Sequence, residues 1–243
     1  MAFFQETRPA REPFLRAPAS VIVLIGILAA AHVARILAPV ALQDTILNLL
    51  ALDPIIYSTA ALHALGVAAP GLLQRLLPPL GHIFLHANFT HLAFNCLWLL
   101  VFGPVVARRY GTVLFYVFFL LCGLAGAAAF VGFEWGQNVG AIGASGAISG
   151  LMAAGIRMLR MREPWLLGAT MPLLSLRSSQ VVSFTAVWLV VNLVTGLIGL
   201  GPTGTLQAIA WQDHLGGYLA GLLLAGPFDL YFGPARRLRG RGA

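Results

Sequence analysis

The chain has 243 residues, of which 59% are hydrophobic and only 9% charged, with a mean hydropathy of +0.86. That balance excludes an ordinary soluble domain, in which about a quarter of the residues carry charge. The formal net charge of +7 comes from 15 basic residues, all Arg, spaced between apolar runs rather than gathered on one face, so it does not describe a nucleic-acid-binding surface.

The composition predicts an all-α polytopic membrane protein. Residues 1–17 form a polar tail without the short apolar stretch and small-residue cleavage site of a signal peptide, so the N-terminus is expected to be retained as a cytoplasmic tail. A single membrane domain is expected over residues 18–232, followed by a basic cytoplasmic tail over 233–243. Runs apolar enough to enter a hydrocarbon core of ~30 Å extend over Ala19 to Leu37, Thr90 to Val106, Thr112 to Val131, Ser145 to Met161, Val181 to Leu200 and Trp211 to Tyr231. They predict six transmembrane helices. The long segment from Ala41 to Leu85, between the first and second spans, is semi-apolar and punctuated by Pro54, Pro70, Pro78 and Pro79. It is expected to lie in the outer interface without crossing.

The arginines follow this layout. Arg8, Arg11 and Arg16 precede the first span, and Arg108 and Arg109 follow the second. Arg157, Arg160, Arg162 and Arg177 lie between the fourth and fifth, and Arg236, Arg237, Arg239 and Arg241 close the chain. The positive-inside rule places all four clusters, and both termini, in the cytoplasm. Arg35 and Arg75 break the pattern, and Arg35, near the outer end of the first span, is expected to snorkel to the interface. The lone domain and the Arg-only basic usage point to a bacterial inner membrane. Cys96 and Cys122 fall inside apolar spans and read as packing residues.

Polar residues within the spans converge in depth. At about 1.5 Å of rise per residue, Ser145 lies ~18 Å from Arg157, Asn95 ~20 Å from Arg108 and His214 ~22 Å from Asp229. With a core of ~30 Å, all three sit roughly 10 Å beneath the outer surface. His91 precedes Asn95 by one helical turn and shares its face. A lone serine in a membrane helix commonly bonds its own backbone, and a lone histidine at a helix end is commonly a satisfied interfacial group. Three helices placing such groups at one level call for a partner or a function.

The chemistry around Ser145 points to acyl transfer. Gly143 and Gly146 allow a sharp turn beside the hydroxyl, and the start of the fourth span aims free N–H groups and a positive dipole end at the same place. An oxyanion would be stabilised there. A serine hydroxyl needs a base to take its proton, and His214 is the natural one. Gly217 and Gly221 at four-residue spacing would let the sixth span approach the fourth closely, with Gly146 and Gly150 as the matching small face. Asp213 points about 100° away from His214 around the helix, which argues for a dyad rather than a triad.

Three separated patterns carry a resemblance: Gly143-Ala144-Ser145-Gly146, His214 followed by Gly217 and Gly221, and His86-Ala87-Asn88-Phe89-Thr90-His91-Leu92-Ala93-Phe94-Asn95. Over roughly Leu77 to Phe228 the chain resembles the rhomboid intramembrane serine proteases. The resemblance implies a six-helix rhomboid-like bundle without cofactor or metal. Ser145 would be the nucleophile and His214 the general base, while His91 and Asn95 would join the Ser145 backbone N–H in binding the oxyanion. His86 matches a position that is structural or retains water. The substrates implied are single-span membrane proteins, cleaved within or just outside the outer leaflet of the bilayer. Two positions depart from the family pattern. Pro78 stands where many members have a Trp-Arg pair, with only Gln74-Arg75 nearby, and Ser149 stands where many have an aromatic residue that stacks on the base.

Other readings are weaker. His82, His86 and His91 are clustered, as in a membrane metalloprotease, but no His-Glu-x-x-His occurs and the acids are too scattered to complete a ligand set. A rhomboid-like protein that binds membrane helices for quality control, without catalysis, would have lost the serine or the histidine. A transporter would be expected to carry repeat symmetry and broken helices.

Overall fold

A computed structural model describes residues 17–159, 171–199 and 210–233. The described residues are helical apart from loops and one isolated antiparallel bridge, Leu52 to Ala141. Among the described residues ten α-helices follow one another: α1 (Ala19–Leu37), α2 (Val40–Leu50), α3 (Thr59–Ala64), α4 (Leu72–Leu76), α5 (Pro78–Gly81), α6 (Phe89–Tyr110), α7 (Thr112–Phe133), α8 (Ser145–Met158), α9 (Ser179–Ile198) and α10 (Trp211–Phe232). Two 3-10 turns, Pro54–Tyr57 and His82–Phe84, lie among the short helices.

Among the described residues five helices, α1, α6, α7, α9 and α10, are long and apolar enough to cross a membrane, and the chain is a multi-pass integral membrane protein. The fourth apolar run behaves differently. Its helix has 14 residues and spans ~21 Å, short of a hydrocarbon core of ~30 Å. It ends at Met158 rather than at Met161, because Leu159 turns to an extended conformation. There the side-chain amide of Gln180 donates to the Ile156 and Leu159 carbonyls, which the helix end leaves without intrahelical donors. A short central helix is tolerable because its neighbours shield it. Every residue of α8 except Ser145 and Arg157 is buried.

The packing around α8 depends on small residues. A Cβ on Gly217 would strike the Gly146 carbonyl, and one on Gly221 would strike the Gly150 carbonyl, so α10 and α8 touch backbone to backbone. On the other side Gly150 accommodates Cys122 of α7. Cys122 is fully buried and Cys96 packs at the edge of the same core. In lipid such close approach supplies the dispersion contacts that water-driven collapse supplies elsewhere. Helices α6 and α7 are joined by Gly111 alone, whose φ of +84° suits a residue without a side chain.

Charges lock one end of the bundle. Arg109 Nε donates to Asp229 Oδ1 at 2.6 Å and its Nη2 to the Met171 carbonyl at 2.9 Å. Arg157 donates to the Leu222 and Leu174 carbonyls at 2.7 and 3.2 Å. The ends of α6 and α10 are therefore level. Arg35 corrects a sequence expectation: it does not snorkel but is 9% exposed, and its Nη2 donates to the His86 carbonyl at 2.8 Å. That carbonyl lies between the second 3-10 turn and α6, where no helix supplies a donor.

The segment between α1 and α6 holds only short helices, the longest being α2 with 11 residues, and none can span a bilayer. It presents exposed apolar side chains, including Val40, Leu42, Leu72, Leu73 and Leu76. Gly81 lies against Leu50, Tyr57 donates its hydroxyl to the Arg75 carbonyl at 2.9 Å, and Pro78 is buried. These contacts hold the segment where a Trp-Arg pair is lacking.

Candidate active site

The turn that leads into α8 is fastened from outside the helix. Leu52 and Ala141 exchange both backbone hydrogen bonds, at 3.0 and 2.9 Å, and Gly143 N–H donates to the His82 carbonyl at 2.8 Å. Gly143 has φ +131°, a conformation that side-chain-bearing residues rarely adopt, and the His91 ring fills the space where its Cβ would be. Ser145 is the first residue of α8, so its hydroxyl shares the site with the unpaired N–H groups of the first helical turn.

His214 reaches this hydroxyl from the first turn of α10. Its Nε2 lies 2.8 Å from Ser145 Oγ, and both residues are partly open to the surface. The glycine contacts between α8 and α10 set that distance, since any larger residue at 217 or 221 would push the helices apart. Asp213 turns toward α7 and α8. It is 3% exposed, pressed against Gly126 and Gly146, with Oδ1 3.7 Å from His82 Nε2.

The other ring nitrogen of His214, Nδ1, lies 2.8 Å from Oδ1 of Asn192 on α9. The sequence reading missed Asn192. The signal was present, since a carboxamide in the interior of an otherwise apolar span is itself a reason to look for a partner. Ser149, which departs from the aromatic residue that the resemblance would place there, is buried within α8 and supplies no ring to stack on His214.

His91 and Asn95 occupy successive turns of α6. Asn88 caps the helix by accepting from His91 N–H at 2.9 Å. The His91 ring accepts at Nδ1 from Ala87 N–H at 3.4 Å, which leaves the proton on Nε2, the atom that lies beside Gly143. Asn95 is 4% exposed and gives one N–H of its amide to the His91 carbonyl at 3.0 Å. Its amide has a second N–H. Behind them His86 packs edge-on against His91, with ring centroids 5.1 Å apart, and His32 packs against His86 at 6.4 Å. Burial, followed by the neighbouring His91 and His32, pushes the His86 ring down to about 3, so it is neutral at physiological pH. Among the described residues no three His, Cys, Asp or Glu side chains converge on a point that could hold a metal ion.

Residues 74–228 match the model of the rhomboid domain. Rhomboid protease GluP of Bacillus subtilis (strain 168) is 37% identical over 120 residues, which cover 47% of this chain and 22% of that protein. Rhomboid protease GlpG of Yersinia pestis (strain Pestoides F) is 28% identical over 145 residues, covering 59% of this chain and 45% of that protein. The matched region thus spans less than half the length of either relative. With the family's domain matched from α4 into α10, the chain belongs to the rhomboid family.

Proposed function

We propose that this protein is an intramembrane serine endopeptidase that cleaves single-span membrane proteins through the pair Ser145 and His214. The observation that carries the reading is the 2.8 Å contact between Ser145 Oγ and His214 Nε2, inside a bundle of membrane-spanning helices. His214 accepts the hydroxyl proton as Ser145 attacks the substrate carbonyl, forming a tetrahedral oxyanion. The backbone N–H of Ser145, the Nε2–H of His91 and the second amide N–H of Asn95 stabilise that charge. None of these donors needs to reorganise much during the reaction, which is where such sites gain most of their rate. His214 then gives its proton to the leaving amine, and a water, deprotonated by the same imidazole, hydrolyses the acyl-enzyme. No metal or organic cofactor takes part.

The arginine end of the bundle is assigned to the cytoplasm and the serine end to the outer leaflet of a bacterial inner membrane, on the four Arg clusters. The water needed for hydrolysis enters from that outer side.

The test uses a fluorophosphonate probe and a panel of membrane-spanning reporter substrates. Wild-type protein is expected to be labelled at Ser145 and to cut the reporters. Ser145→Ala and His214→Ala should each abolish cleavage, and the double variant should be no worse than either single one, because the two groups act as a unit. Robust cleavage by folded Ser145→Ala would refute the reading, and a reactive-site-dead wild type would favour the helix-binding alternative.

A further inference from the structure

Asn192 stands out on its helix. Of the 20 residues of α9 only Val181 and Asn192 are buried. A carboxamide withdrawn from water into an apolar setting costs several kcal/mol unless its polar atoms are paired. Both ends of this one are paired: Nδ2 donates to the Trp211 carbonyl at 3.1 Å, and Oδ1 lies 2.8 Å from His214 Nδ1.

The chemistry of these partners assigns the protons. A backbone carbonyl only accepts, so the nitrogen of the amide must face Trp211 and the oxygen must face His214. That oxygen also only accepts, so His214 carries its proton on Nδ1. A neutral imidazole protonated at Nδ1 presents its lone pair at Nε2, and Nε2 is the atom facing Ser145 Oγ. From these contacts we infer that Asn192 is a positioning residue: it holds His214 in the tautomer and orientation that accept the serine proton, and it supports the imidazolium formed during acyl transfer. The inference rests on the Ser145–His214 reading. It also explains how the base is oriented where Ser149 replaces an aromatic ring.

The link is specific to one point on α9. Elsewhere this helix meets α10 through Trp188 stacked on Tyr218 at 4.0 Å and Thr185 hydrogen-bonded to the Tyr218 hydroxyl at 2.8 Å. Neither contact involves His214. The titratable groups around His214 are His91 from α6 and Asp213 on its own helix, while α9 contributes none.

The experiment measures the rate of fluorophosphonate labelling against pH for detergent-purified, folded protein, with KM and kcat on a reporter substrate alongside. Asn192→Ala should slow labelling and lower kcat by roughly ten- to a hundred-fold, the range seen when the partner orienting a metal-ligating histidine is lost, with KM little changed. Asn192→Asp keeps the acceptor, so it should retain more activity than Asn192→Ala. A carboxylate there favours imidazolium, so its acid limb should move up by about one pH unit or more. Thr185→Val, which loosens the same helix pair without touching His214, should leave labelling within about two-fold, against an expected penalty of only a single hydrogen bond. Wild-type labelling by Asn192→Ala, an unmoved pH profile for Asn192→Asp, or equal slowing by Thr185→Val would each overturn the role. Failure of the dyad itself looks different: wild-type protein would not react, or Ser145→Ala still would.

Discussion

Helices α8 and α9 both neighbour α10, yet they are held to it by opposite means. On α8 nearly every residue is buried, and contact is made by bare backbone at Gly146 and Gly150 against Gly217 and Gly221. On α9 nearly every residue is exposed or half-buried, and contact runs through Trp188, Thr185 and Asn192. At these four glycines the first joint has no adjustable part, and so fixes a distance. The second runs mainly through side chains, and so fixes an orientation. Ser145 and His214 belong to the rigid joint, whereas the partner of His214 belongs to the softer one.

The sharpest way to break this contrast is to add a methyl group to the rigid joint. Gly217→Ala should cost ~1 to 3 kcal/mol of stability, as overpacking does. It should also abolish cleavage, because the methyl can be accommodated only by moving α10, and His214 with it, away from α8. A thermal melt with an activity assay at low temperature checks both parts. Full activity in a folded Gly217→Ala protein would show that the glycine seam does not set the dyad distance.

Asn95→Ala comes next. If its second N–H serves the oxyanion, turnover should fall by ~2.7 to 4 kcal/mol in barrier, roughly a hundred- to thousand-fold, with substrate binding little changed. His91→Ala should act in the same direction to a smaller extent. Since Asn95 already gives one N–H to the His91 carbonyl, a purely structural role makes a distinct prediction: activity lost only in proportion to the melting temperature and regained on cooling.

The smallest effects belong to α9 away from Asn192. Thr185→Val should lower stability by about 1 kcal/mol, one net hydrogen bond. Val190→Ala, at an exposed position, should stay within ~0.5 kcal/mol in a membrane-mimetic melt. A large loss from Val190→Ala would mean that this face packs against protein rather than lipid.

Much of this contrast is legible in the amino-acid sequence, and the limits of that legibility have physical causes. The glycine spacing on the sixth span and the matching small face of the fourth are visible as letters, because close approach demands residues without side chains. The shared depth of Ser145 and His214 follows from helical rise, and the structure brings the two side chains into contact. The fate of Arg35 was not legible: whether a long cation reaches the interface or a buried carbonyl depends on where the loop after the second 3-10 turn runs. That Asn192 turns toward His214 was not legible for a related reason. The fifth span is apolar all around, so no amphipathic pattern marks which face turns inward.

By itself, then, the sequence determined the membrane-embedded helical class, the runs that become helices, the polar residues stranded among them and the family to which their spacing belongs. These follow from local rules, because in a bilayer each backbone segment must satisfy its own hydrogen bonds and each buried polar group must justify its cost. Only the tertiary structure decided how short the central helix is, where Arg35 points, and that Asn192 stands behind His214. Those depend on the rotation of one helix about its axis relative to another, which rests on the sum of many weak contacts across the bundle and is written in no single segment.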